Sequence, residues 1–307
     1  MRIKDAIFNI LKKELPDIQK NVPLKNYTTF KIGGPAKYFF VAKSIKDLIK
    51  AVKISKRLKL PVFVLAGGSN ILVSDEGFNG LVVKVDNSQL IINNLNEIYA
   101  EAGVMLPKLV GFASKNSLAG LEWAAGIPGT VGGAVYGNAQ AFGGRISGSV
   151  KKIEALDIRS LKVKNFTRAQ CRFSLKNSAF KKNKNLIIIS AVLKLNKGSK
   201  KEIKEKIREN IKYRKKNHPI AFPSAGSVFV NPESKKKILP AGYLIEKCRL
   251  SGKKIGKAQI SKMHSNFIVN LGGARAKDVL KLINIARKEV KKSFGIKLEA
   301  EVQFVGF

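Results

Sequence analysis

Two glycine-rich stretches constrain this chain more than anything else in it. The first reads Leu65-Ala66-Gly67-Gly68-Ser69-Asn70-Ile71-Leu72-Val73-Ser74, the second Gly126-Ile127-Pro128-Gly129-Thr130-Val131-Gly132-Gly133-Ala134. Glycine loses more chain entropy on folding than any other residue, so such clusters mark turns that expose N–H groups or make room for something close by. N–H groups gathered in this way suit the phosphates of a large ligand. Neither stretch follows G-x-G-x-x-G or G-x-x-x-x-G-K-[ST], which sets aside the usual dinucleotide turn and the P-loop. Taken alone, Gly67-Gly68-Ser69-Asn70 reads equally as a tight loop between strands. The second stretch is a poor flexible linker, because Ile127, Pro128, Val131 and Val135 are stiff and apolar; its small residues suit a wall for a flat aromatic ring.

Around these stretches the hydrophobic pattern predicts mixed α and β structure. Residues 37–42 read as a buried strand, Ser44 and Asp47 as a capping box, and Ile45, Leu48, Ile49 and Val52 as one helical face. The next strand, Pro61 to Leu65, leads directly into the first glycine cluster. Leu81–Val83 and Ile98–Ala100 suggest further strands, and Leu106–Lys115 a short helix. Residues 150–195 look mainly β, with Leu186–Ile189 as a core strand. A charged helix follows from Lys201 to Lys216 with Ile203, Ile207 and Ile211 on one stripe, and Pro219, Pro223 and Gly226 break it. A last helix is predicted over Ala276–Phe294. After it comes a strand with Leu298, Ala300, Val302 and Phe304 on one face and Glu299, Glu301 and Gln303 on the other.

With 307 residues, two or three domains are expected from the usual ~100–200 residues each. No stretch approaches the ~20 apolar residues of a membrane span. The N-terminal apolar positions 3, 6, 7, 10 and 11 have helical spacing, and no small-residue cleavage site follows, so the segment reads as a helix rather than a secretory signal. Two cysteines, Cys171 and Cys248, and two histidines, His218 and His264, do not make a metal cluster or a disulfide framework. The two cysteines read as buried or idle thiols in a reducing cytosol. The net charge of +37 runs along the whole chain in pairs and runs such as Lys181-Lys182 and Lys235-Lys236-Lys237. With no zinc-finger spacing and no aromatic RNA-binding signature beside it, this charge reads as a lysine-rich surface rather than a nucleic-acid footprint.

The chain resembles a known family. Asn26-Tyr27-Thr28-Thr29-Phe30-Lys31-Ile32-Gly33-Gly34-Pro35-Ala36, Gly67-Gly68-Ser69-Asn70 with Asp75-Glu76-Gly77-Phe78, and Gly126 to Gly133 are similar to motifs of the UDP-N-acetylenolpyruvoylglucosamine reductases. Pro223-Ser224-Ala225-Gly226-Ser227-Val228-Phe229-Val230-Asn231-Pro232, Ala241 to Glu246, His264 to Asn270 and Leu298-Glu299-Ala300-Glu301-Val302 agree in turn, so the likeness runs from about residue 24 to 307.

The resemblance implies an α+β chain. A PCMH-type (vanillyl-alcohol-oxidase-like) FAD-binding fold of two subdomains would occupy 25–196, after an N-terminal helix segment, 1–24. A C-terminal α+β substrate domain would occupy 197–307. It implies reduction of UDP-N-acetylglucosamine enolpyruvate to UDP-N-acetylmuramate for peptidoglycan, with FAD and NADPH. The enzyme would be a cytoplasmic monomer with no membrane or specific nucleic-acid partner. By motif, Gly67, Gly68, Ser69 and Asn70 would hold the pyrophosphate. Ile127, Pro128, Thr130, Gly133, Ala134 and Asn138 would line the rest of the flavin site, and Asn231 would bind substrate. Ser227 matches the proton donor, and Glu301 the carboxylate that polarises the substrate acid.

One match departs from the family. Its Tyr-Arg-x-Ser-x-Phe stretch reads Leu175-Lys176-Asn177-Ser178-Ala179-Phe180 here, so Lys176 replaces an arginine, and Val230 stands where a lysine is expected. Lysine keeps the charge that would neutralise an enolate but not the planar fork that grips a carboxylate at two points. These two exchanges leave room for a related flavin oxidoreductase with another substrate. The charge alone motivates a third reading, a basic nucleic-acid-binding protein.

Overall fold

The computed structural model describes residues 3–234 and 237–307, so Lys235 and Lys236 of the basic runs lie outside the described residues. The chain forms two compact units that interleave along the sequence. One comprises residues up to Lys20, Tyr38–Gly67 and Gly80–Tyr213; the other comprises Asn21–Lys37, Gly68–Asn79 and Arg214–Phe307.

The first unit is built on a five-stranded antiparallel sheet in the order Lys162–Thr167, Val150–Asp157, Leu186–Lys194, Glu97–Glu101, Leu90–Asn94. The central strand, Leu186–Lys194, is almost wholly apolar because it is covered on both faces. A parallel pair, Val62–Leu65 beside Phe78–Val85, carries the chain into the first glycine cluster. The capping box forms as the sequence predicts: Ser44 Oγ accepts from Asp47 N at 3.1 Å and Asp47 Oδ2 accepts from Ser44 N at 3.0 Å, opening the helix Ile45–Arg57. The charged helix, Lys200–Asn217, buries Ile203 and lays Ile207 and Ile211 against this unit's core. Cys171 is fully buried there, and burial pushes its thiol up to about 11, which keeps it protonated and unreactive.

The second unit holds a four-stranded antiparallel sheet in the order Ser224–Ser227, Phe267–Asn270, Ala258–Ile260, Lys254–Ile255. The helix Ala276–Phe294 places Val279, Leu282, Ile283, Ala286 and Val290 in the same core as Ile260 and Ile268, a 3–4 spacing that lays one apolar stripe inward. Asp75, far away in sequence, accepts from Ala276 N at 2.7 Å and Lys277 N at 3.1 Å and so caps the helix with negative charge. Gly295, at φ +69°, ends it.

One expectation fails for a tertiary reason. The alternating strand over 298–304 is interrupted. Ala300 makes one antiparallel bridge to Phe229, the chain bends at Val302, and pairing resumes only at Gln303–Val305, parallel to Ile71–Val73. The bend shifts the phase, burying Val302 and Val305 and leaving Phe304 40% exposed instead of inward. The second glycine stretch contains a helix, Val131–Gly137, despite three glycines. Gly132 is required by packing rather than propensity: a Cβ there would lie 2.8 Å from the Ala102 Cβ. Among the described residues no helix is long and apolar enough to cross a membrane.

Candidate active site

In the first unit Gly67, at the start of the first glycine turn, meets the second stretch. A Cβ on Gly67 would come within 2.9 Å of Gly129 Cα, so the turns approach backbone to backbone. Gly129 has φ +144° and its carbonyl accepts from Leu106 N at 2.9 Å, while Val131 N donates to Val104 O at 2.9 Å. Thr130, buried, caps the helix with its hydroxyl accepting from Gly133 N at 3.3 Å. Ala134 is buried behind the surface. Ile127 is half-buried, while Pro128 and Gly133 are exposed, and nothing but Thr130 Oγ1, at 3.7 Å, lies near a Cβ on Gly133. At Gly133 the missing side chain leaves open space; at Gly67 and Gly132 it admits another part of the chain.

Beside this wall sits a residue that no motif flags. Asn87 is buried, yet neither its Nδ2 nor its Oδ1 finds a partner among the described residues. It lies against Gly103, whose Cβ would fall 3.0 Å from Asn87 Oδ1, and the turn at Gly103 leads directly into Val104 and Leu106, the residues hydrogen-bonded to Val131 and Gly129. A buried amide with no partner in the chain is a place for a polar group from outside it. An open glycine face and an orphaned amide fit a bound polar aromatic cofactor.

Asn138, assigned to the flavin wall by resemblance, ends the helix Val131–Gly137 at φ +45° and is buried. Its Nδ2 donates to Ser174 O at 2.8 Å and its Oδ1 accepts from Ser147 N at 3.4 Å. Ser178 Oγ donates to Tyr136 O at 2.7 Å. Asn138 and Ser178 therefore dock the reciprocal Ser174–Asn177 turn that carries Lys176 onto this helix. Lys176 itself sits at φ +53°, half-buried, and its carbonyl accepts from Lys181 Nζ at 2.9 Å. Arg172 does not take over its position; it is exposed and lines a surface groove with Lys164, Phe166 and Lys182.

The second unit brings Ser227 and Glu301 together. Ser227 closes its strand opposite Phe267, after a bulge at Gly226, φ +75°. Glu301 N donates to the carbonyl of Val228, the next residue along, at 2.8 Å. Asn266 fastens the same strand: Val228 N donates to its carbonyl at 2.8 Å, its Oδ1 accepts from Phe229 N at 2.9 Å, and its Nδ2 donates to Phe229 O at 2.9 Å. Glu301 is half-buried and Glu299 exposed, which separates two carboxylates that alternation alone leaves equivalent. Val230 N donates to Glu299 O at 2.9 Å. Gly68 is glycine by necessity, with φ +61° and Tyr27 O only 2.1 Å from a Cβ position. Ser69 and Asn70 are half-buried beside it. Asn70 has a role its motif does not announce: its Nδ2 donates to Glu301 O at 3.2 Å and its own carbonyl accepts from Gln303 N at 3.0 Å. Asn231 is exposed, and its Oδ1 accepts from Ala241 N at 3.0 Å, starting the helix Ala241–Lys247.

Near this strand His218 stacks on Phe267 with centroids 5.2 Å apart, and His264 lies 5.5 Å from His218. His264 Nδ1 accepts from Asn266 N at 3.2 Å. Burial, then the Arg214 and His264 charges, lower the His218 pKa from 6.5 to about 4. Because the folded pKa lies below the unfolded one, its contribution to stability is full above pH 6.5 and is lost as pH falls toward about 4. Melting temperature should decline across that window, and His218→Phe, which keeps the stack, should flatten this part of the profile.

The comparisons with known proteins agree with one another. The family profile described as UDP-N-acetylenolpyruvoylglucosamine reductase, C-terminal domain, matches residues 218–305, and that of the FAD binding domain matches residues 36–158. The UDP-N-acetylenolpyruvoylglucosamine reductase of Caldicellulosiruptor bescii is 43% identical over 301 residues, covering 96% of this chain and 93% of that protein. That of Carboxydothermus hydrogenoformans is 41% identical over 302 residues, covering 96% and 98%. The crystal structure of the Thermus caldophilus enzyme superimposes with a TM-score of 0.78 at 33% identity, over 94% of this chain and 99% of that one.

Proposed function

The chain belongs to the UDP-N-acetylenolpyruvoylglucosamine reductase family, and from that premise we propose how its residues carry out the reaction. It is an FAD-dependent oxidoreductase of peptidoglycan precursor synthesis that takes an enolpyruvyl nucleotide sugar as substrate and NADPH as reductant. When bound, FAD supplies the hydride for the terminal carbon of the enolpyruvyl double bond.

Ser227 gives its hydroxyl proton to the neighbouring carbon. A serine hydroxyl is a weak acid, so it serves only a strongly basic, carbanion-like centre, which is what hydride addition creates. One hydride and one proton turn the vinyl ether into a lactyl ether, and solvent returns the proton to Ser227. Glu301 polarises the substrate acid group. Lys176 offsets the negative charge that builds toward the substrate carboxylate. Gly67, Gly68, Ser69 and Asn70 would hold the pyrophosphate; Ile127, Pro128 and Gly133 would face the flavin on a wall that Thr130, Ala134 and Asn138 back; Asn231 would contact the nucleotide sugar. The reaction takes place in the cytoplasm on a single chain, where NADPH and nucleotide sugars are at hand.

The observation that supports this reading most is the hydrogen bond from Glu301 N to Val228 O, which ties the carboxylate segment to the residue after Ser227. Anaerobic absorption spectroscopy tests the function. The purified protein should show a flavin spectrum, bleach with NADPH, and regain colour only when UDP-N-acetylglucosamine enolpyruvate is added. Recovery without that substrate would overturn the assignment.

Lys176→Ala is expected to lower turnover about 10- to 10²-fold, and Lys176→Arg to retain or raise it, since the guanidinium restores a two-point grip. Both side chains face the same left-handed backbone requirement at φ +53°, so steady-state kinetics of this pair isolate head-group chemistry from backbone strain.

A further inference from the structure

Thr29 lies inside one of the family-like motifs, yet the reading above gives it no task. Its backbone N donates to Gly68 O at 3.1 Å. Its hydroxyl donates to Ser224 O at 2.7 Å, with Gly68 O a more distant acceptor at 3.5 Å. One residue thus joins the Gly68 turn to the strand that carries Ser227.

That strand needs such a hold. Ser224 pairs with Val269 and Ser227 with Phe267, but the register shifts between them, and Gly226 turns at φ +75°. A bulge leaves the ladder interrupted just before the hydroxyl that acts. Asn70 makes the matching connection from the same turn to Glu301 and Gln303. The turn is therefore hydrogen-bonded to both acting segments, through Thr29 on one side and Asn70 on the other.

We propose that Thr29 is a positioning residue for the reaction: by bridging Gly68 and Ser224 it fixes where the Ser227 hydroxyl sits relative to the pyrophosphate turn. The inference rests on the reading of Ser227 as proton donor. Positioning at this level is worth a large factor in rate, because displacement of a reacting group by about 1 Å costs on the order of 10²-fold.

The test uses the FAD-loaded full chain and Thr29→Val, which keeps the shape and removes the hydroxyl, with Thr29→Ser as rescue. Three quantities are measured: FAD affinity by fluorescence titration, reduction by NADPH, and reoxidation by the enolpyruvyl nucleotide sugar. Thr29→Val should slow reoxidation about tenfold or more, leave reduction and FAD affinity unchanged, and be reversed by Thr29→Ser. Equal slowing of both half-reactions, loss of FAD, or no change at all would overturn the proposal. If Thr29→Val does not fold, Thr29→Ala is judged by the same criteria. Ser227→Ala runs in parallel. Normal reoxidation in that variant means the proton-donor reading has failed; slow reoxidation there with normal Thr29→Val rejects the positioning role alone.

Discussion

Ser227→Ala is expected to lower the rate of flavin reoxidation by the enolpyruvyl nucleotide sugar about 10²–10⁴-fold, the span that a general acid contributes. Reduction by NADPH should be unaffected, because that half-reaction asks no proton of Ser227. The fold should also survive. Ser227 is half-buried and its strand is held by backbone pairing with Phe267 and by Asn266, none of which needs the hydroxyl. Stopped-flow absorbance of the two half-reactions, with a thermal melt, reads all three. A variant that reoxidises at the normal rate would place the proton donor elsewhere, and the half-buried carboxyl of Glu301 would be the next group to remove.

The second large effect is structural. Gly68→Ala should destabilise the protein by about 2–5 kcal/mol, combining the ~1–2 kcal/mol of a left-handed non-glycine residue with the ~1–3 kcal/mol of forcing bulk into a packed site. The added Cβ would stand 2.1 Å from Tyr27 O and 3.0 Å from Thr28 Cα, and both neighbours are backbone atoms that cannot rotate away. Because Thr29 and Asn70 hang on the same turn, FAD affinity and activity should fall with stability. Gly133→Ala is the contrasting case. Its Cβ would meet nothing nearer than 3.7 Å, and alanine favours a helix by about 1 kcal/mol over glycine, so stability should hold or rise. A weaker FAD affinity in that stable variant would mark the open glycine face as the one the flavin covers. Melting temperature and FAD titration on the pair separate glycines that serve the chain from one that serves the ligand.

Much was legible locally. The Ser44–Asp47 capping box, the helices Leu106–Lys115 and Ala276–Phe294, and the core strand around Leu186–Ile189 follow from spacing within one element, and the structure has them. The glycine clusters announced that backbone must come close to something, and the ordered motifs pointed to the family to which the chain belongs. The reason for each glycine was not legible. Gly67, Gly68 and Gly132 look alike in sequence, but their Cβ positions are claimed by Gly129, Tyr27 and Ala102, partners from 30 to 62 residues away.

By itself, then, the sequence determined the elements whose period repeats over a few turns and the residue types the chemistry requires, because those depend on neighbours three or four positions along the chain. Only the tertiary structure decided the phase of the last strand, the helix formed from glycines, and the hydrogen bonds that join Thr29 to Ser224 and Asn70 to Glu301 across 195 and 231 residues. Such contacts depend on which backbone groups remain unpaired once the sheets have formed, and that is settled by the packing of the whole unit rather than by any local pattern.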